Sequence, residues 1–121
     1  MGDDELIRHF FGGFVRLHIL YHAAKEGICG VEMIEELHRH GYKLSPGTLY
    51  PILHHLEQAG YLSCEVDVVS GKRRKNYRIT KRGRKLLAEA QGKLRELFSE
   101  VVEDQDKKAA AARRRSRSED A

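Results

Sequence analysis

The sequence predicts a mainly α fold with a small β-hairpin, and three observations predict it. Four segments carry apolar residues at helical spacing, and two short segments alternate polar and apolar residues on either side of Ser70-Gly71. Between Lys72 and Lys85 stand nine Lys or Arg and no Asp or Glu. A solvated surface would interleave acids, so this run creates a local positive potential suited to a polyanion.

The first helix spans residues 4–25, where Ile7, Phe10, Phe14, Leu17, Tyr21 and Ala24 recur every three or four positions and mark an apolar face. Gly12-Gly13 interrupts the pattern, and Gly27 follows as a stop signal. The second helix runs from about Val31 to His40, with Ile34 and Leu37 turned inward and Gly41 placed for a left-handed C-terminal cap. In the third, Ser45 can cap and Pro46 suits the first position, but Pro51 then falls in the interior. A start at Thr48, or a loose turn before it, relieves that conflict, and the helix ends at Ala59 with Gly60 as its cap. Strands follow at 61–69 and 74–79. Thr80 caps a last helix reaching about Glu103, in which Leu87, Ala90, Leu94, Leu97 and Val101 form a seam suited to lying against another helix.

Three helices followed by a basic hairpin make a winged helix-turn-helix with a C-terminal helix. The major groove of DNA admits one α-helix, and a hairpin beside it reaches phosphates. At 100° per residue, Leu49, Ile52, Leu53 and Leu56 share one side of the third helix, while Gly47, Pro51, His54 and Gln58 lie opposite. Gly47 and Pro51 permit close approach, Thr48 and Tyr50 offer hydroxyl donors, and His54 can donate to a base or phosphate. These residues, with Ser45 and the wing cations Lys72, Arg73, Arg74 and Lys75, form the candidate DNA-binding set. No Arg stands on the third helix, so bidentate guanine readout from it is absent, and part of the specificity rests on DNA shape.

The run Ser45-Pro46-Gly47-Thr48-Leu49-Tyr50-Pro51-Ile52-Leu53-His54-His55-Leu56-Glu57-Gln58-Ala59-Gly60-Tyr61-Leu62 resembles the signature of the PadR transcriptional regulators. Arg74 to Arg84 resembles that family's wing-to-helix junction, with its Tyr-Arg-x-Thr-x-x-Gly pattern. The resemblance covers roughly residues 14–103. It implies a homodimer joined through the C-terminal and N-terminal helices, and repression at pseudo-palindromic double-stranded operators. It also implies release by a stress signal or a small hydrophobic ligand near the dimer interface. It places Thr48, Tyr50 and Pro51 against DNA and the wing Arg and Lys on phosphates. With no tryptophan in the chain, ligand stacking between paired tryptophans is not expected.

The organisation expected is therefore a DNA-binding domain over residues 1–79, a dimerisation helix over 80–104 and a disordered basic tail over 105–121. No apolar run approaches the roughly 20 residues that span a bilayer, and the acidic start Met1-Gly2-Asp3-Asp4-Glu5 lacks a secretory signal pattern. A cytoplasmic protein without membrane contact follows. Phe10, Phe11, Phe14 and Phe98 read as core, with a ligand pocket as the alternative.

Three rival functions stand against this reading. No Gly-rich phosphate loop, nucleophile motif or paired-carboxylate site is present, so an enzyme is not expected and no cofactor is implied. A winged-helix protein-interaction module would leave the basic wing incidental. A metal- or thiol-responsive regulator would use His18 and His22, spaced i,i+4, with His38, His40, His54, His55, Cys29 or Cys64. A zinc site needs three or four converging ligands. The spacing does not bring these together, so no metal site is expected.

Overall fold

The computed structural model describes residues 2–120, with side chains described for 2–118. Met1 and Ala121, the outer ends of the predicted first and last segments, lie outside the described residues. The elements are α1 (Asp3–Lys25), β1 (Ile28–Cys29), α2 (Gly30–Arg39), α3 (Pro46–Gln58), β2 (Leu62–Val69), β3 (Lys72–Ile79) and α4 (Lys81–Phe98). A π-helical segment (Ser99–Glu103) and α5 (Asp104–Asp120) complete the chain. Two compact units result, Met1–Leu87 and Ala88–Ala121, so the boundary lies within α4 rather than at residue 79. The reason is local. Gly83 is buried, and Leu86 and Leu87 pack against the core, which makes the first turns of α4 part of the first unit.

In the first unit the predicted order holds, with three differences. The buried face of α1 is Val15, Ile19, Leu20 and Ala23, not the predicted stripe, whose Ile7, Phe10, Phe14 and Tyr21 are exposed. The helix is apolar on two faces, and periodicity alone cannot say which one meets the core. It also runs through Gly12-Gly13 without a break. The second difference is β1, two residues too short to register as a pattern. It pairs antiparallel with β3 and turns the hairpin into a three-stranded sheet of order β1-β3-β2. The third is the start of α3. Ser45 takes the N-cap position in extended conformation and Pro46 opens the helix, ahead of the Thr48 start expected from Pro51. Pro51 is tolerated inside the helix because it stands on the exposed side, where the lost N–H leaves the Gly47 carbonyl to solvent.

The core joins Ile19 and Leu20 of α1, Met33 and Leu37 of α2, Leu49 and Leu53 of α3, and Leu62 and Tyr77 of the sheet. Burial, with the neighbouring Cys64, pushes the Tyr77 hydroxyl up to about 12, so it stays neutral there. Gly41, at φ +89°, ends α2 as expected. Ser70 and Gly71, at φ 53° and 76°, make the two-residue turn whose twist matches the strands. Thr80 fixes the junction to α4. Its hydroxyl donates to the Gly60 carbonyl at 2.6 Å and accepts from the Gly83 N–H at 3.0 Å.

The second unit corrects the expectation of a disordered tail. Residues 104–120 form α5. Four consecutive alanines supply the strongest helix propensity, Asp104 and Asp106 sit in the first turn, Arg117 sits in the last, and Lys108 reaches Asp104 at 3.2 Å. The run reads as a solvated basic tail only if the alanines are ignored. No helix of the described residues is long and apolar enough to cross a membrane.

Candidate nucleic-acid interface

The exposed side of α3 is the one the sequence marks. Gly47, Thr48, Pro51 and His54 are exposed, and among the described residues only the Ser45 hydroxyl, at 3.8 Å, comes within 4 Å of where a Cβ on Gly47 would stand. Ser45 is also exposed, and its hydroxyl lies 3.3 Å from that of Thr48. Tyr50 differs from the rest. It is half-buried, its ring laid across the backbone of Gly30 so closely that a side chain at Gly30 would occupy its place. This packing ties the first turns of α3 to the N-terminus of α2.

The wing reaches the same place. Tyr50, the start of α2 at Cys29, Gly30 and Val31, and Arg73, Arg74 and Lys75 of β3 line one groove. The predicted helix and wing residues are therefore neighbours in space. Lys72 lies further out, beside the turn at Ser70-Gly71. The groove also lies at the positive dipole end of α2, where a capping box between Cys29 and Glu32 already occupies the Cys29 and Glu32 N–H groups.

The strand register sorts the wing cations in a way the linear charge count cannot. Arg74 pairs with Asp67 across the ladder, and Arg78 lies 3.6 Å from Glu65. Arg73 and Lys75 pair instead with Val68 and Val66. Successive side chains alternate between faces. One face of the wing thus interleaves acids with its cations, while the other carries Arg73 and Lys75 without an acid in the ladder. Arg74 also faces Glu32, whose carboxyl is held below the usual carboxylate range by hydrogen bonds from Cys29 and, secondarily, by Arg74. The Cys29 N–H donates to that carboxylate at 3.3 Å. The stretch without acids in sequence is part-neutralised in space by acids of β2 and α2.

The structure also corrects the expectation that the histidines stay apart. His18, His22 and His40 converge, each with a ring nitrogen within 4.8 Å of the others, because the turn after α2 carries His40 back to α1. Burial, and the charges of the neighbouring histidines, hold the His18 side chain below its ordinary range. Burial does the same for His22. Cys29 is buried and Cys64 half-buried, and burial pushes the Cys64 thiol up, which disfavours a reactive thiolate there. The aromatic residues Phe10, Phe11, Phe14 and Phe98, read as core, are all exposed.

A three-helix body that offers an open helix face beside a cationic hairpin defines a DNA-binding winged helix-turn-helix protein. The comparisons narrow the class. The family model described as "Transcriptional regulator PadR-like family" matches residues 19–89. The chain is 50% identical over 96 residues to the transcriptional regulator Rv3488 of Mycobacterium tuberculosis, covering 79% of this chain and 90% of that one. It superposes on a PadR-like transcription factor from Bacteroides fragilis with a TM-score of 0.70 at 28% identity, over 80% of this chain and 95% of that one. A PadR-like regulator from Bacillus cereus matches with a TM-score of 0.72 at 27% identity, over 77% and 92% of the two chains. The chain belongs to the PadR-like family of transcriptional regulators, and it is a DNA-binding regulator of transcription.

Proposed function

We propose that this regulator is a cytoplasmic homodimeric repressor that lays α3 in successive major grooves of a pseudo-palindromic operator and grips the flanking phosphates with its wing. The observation that carries this reading is the shared groove, where Tyr50 of α3, the N-terminus of α2 and the wing residues Arg73 and Lys75 stand together. A phosphate entering it meets the Tyr50 hydroxyl, the positive end of α2 and two cations without acids opposite them. Ser45, Gly47, Thr48, Pro51 and His54 then face the base edges and the adjoining backbone. The absence of Arg from α3 leaves DNA deformability to supply part of the discrimination.

Dimerisation is supported by apolar surface left open in each unit. Phe10 is 57% exposed on α1, and Leu97 and Val101 are 56% and 60% exposed on α4 and the π-helical segment. Exposed large apolar residues gathered on a helix face call for a partner surface. A small hydrophobic ligand that enters between the aromatic residues of α1 would shift the spacing of the two recognition helices and release the operator.

The wing gives the test. Arg73→Ala with Lys75→Ala should weaken binding to every duplex alike, because cations on phosphates carry no sequence information. The slope of log affinity against log salt should fall by about two for each wing, one unit for each phosphate that the wing no longer neutralises. Arg74→Ala should change the slope less, since Asp67 and Glu32 already offset that charge. Fluorescence anisotropy over a salt series reads both. An unchanged slope in the double variant would remove the wing from the phosphates.

A further inference from the structure

We propose that His18, His22 and His40 form a binding site for a divalent transition metal of the zinc class, which clamps α1 to the C-terminal end of α2. Three of the chain's seven histidines gather here. His18 and His22 stand one turn apart on α1 and so share a face. His40 caps the C-terminus of α2, where the left-handed Gly41 turns the chain. The three rings form a compact triangle. The centroids of His18 and His40 are 4.5 Å apart, those of His22 and His40 5.7 Å, and those of His18 and His22 6.2 Å.

A tetrahedral ion with metal–nitrogen bonds of about 2.0–2.1 Å holds its ligand nitrogens roughly 3.3 Å apart. The three nitrogens already lie within 4.8 Å of one another. In the proposed site the remaining gap, at most about 1.5 Å, is closed by rotation of the rings about their side-chain torsions. A second observation points to a ligand. The Nε2 atom of His22 is buried and has no hydrogen-bond partner among the described residues. A buried polar atom left unpaired is uncommon, and metal coordination would satisfy it.

The donor set chooses the ion. Three imidazoles with no thiolate suit zinc, nickel, cobalt or copper in the divalent state, whereas calcium and magnesium demand oxygen. Three protein ligands leave a fourth position open. Glu36 lines the pocket beside His22, although Arg39 holds its carboxylate at 2.7 Å. Water or that carboxylate completes the shell. Because the site joins α1 to the turn that leads into α3, an occupied site would fix the helix-turn-helix on its N-terminal support.

The test uses the full chain, freed of metal by a chelator. Titration with Co2+ should give visible absorption bands of tetrahedral intensity that saturate at one ion per chain. Zn2+ should displace the colour and raise the melting temperature. His40→Gln, at an exposed position, and His18→Gln should each lower Co2+ affinity at least tenfold, while His38→Ala and His55→Ala leave it unchanged. Circular dichroism identifies any variant that has lost its fold. Absence of stoichiometric uptake by the native chain would overturn the proposal. So would uptake undiminished in folded His18→Gln or His40→Gln protein. Neither result bears on DNA binding, which is read separately.

Discussion

Replacing Leu94 and Leu97 with glutamate is expected to convert the protein to a monomer and to weaken operator binding by roughly a hundredfold or more. Both leucines are exposed on α4, at 38% and 56%, so neither supports the fold of its own chain. In the proposed dimer they lie in the seam, where four buried carboxylates per pair of chains would be left without partners. The effect on DNA follows from geometry. Two half-sites about one helical turn apart must be held by one rigid object. Once the first recognition helix has docked, the second binds at an effective concentration in the millimolar range, and separated chains lose that gain. Sedimentation and anisotropy on the same samples read both effects, with circular dichroism as the control for folding. A variant that stays dimeric would place the interface elsewhere, on α1 in the first instance.

Gly83→Val is expected to be among the most damaging single substitutions in the first unit, lowering stability by about 1–3 kcal/mol through overpacking. A Cβ at Gly83 would strike the carbonyl oxygen of Tyr61 and come within 2.7 Å of Ile79 Cγ1. The first neighbour is backbone, which itself accepts the Thr80 N–H at 3.1 Å and cannot move aside alone. Natural domains keep only about 5–15 kcal/mol in hand, so a loss of this size shows clearly in urea. The midpoint of denaturation should fall, with Gly92→Val as the control, because nothing among the described residues lies within 4 Å of a Cβ there. Equal midpoints for the two variants would show that the junction gives way cheaply.

This junction also shows what the sequence makes legible. The Thr80 and Gly83 spacing is recognisable as a pattern, and the structure supplies its physical content. One hydroxyl bridges the end of α3 to the start of α4, and a missing side chain lets that helix approach the Tyr61 carbonyl. The inner face of α3 is legible because Leu49, Leu53 and Leu56 are opposed by small and polar residues, so only one packing is sensible. The α1 stripe is not, because Phe10 and Phe14 rival Val15 and Ile19 in hydrophobicity. In a protein that keeps one apolar face for its own core and another for a partner, periodicity finds both and ranks neither.

The candidate site divides in the same way. That the wing is basic is a property of the sequence. Which cations are free is a property of the register, since Asp67 and Glu65 reach Arg74 and Arg78 only once β2 lies beside β3. The histidine cluster depends on an approach across 18 residues between His22 and His40, through a turn whose direction is set by Gly41. No local spacing contains that information. The i,i+4 pair at His18 and His22 is half the signal, and the partner helix supplies the rest.

The measurement that tests the central claim most directly is fluorescence anisotropy with a labelled duplex from the DNA upstream of the protein's own gene. A scrambled duplex of equal composition runs beside it across a salt series. The proposed dimeric regulator should hold the native duplex at salt concentrations where the scrambled one has dissociated, and should lose that preference when the exposed Thr48 and His54 are replaced by alanine. Equal affinity for both duplexes at every salt concentration, unaltered by those replacements, would contradict the assignment of α3 as the element that reads sequence.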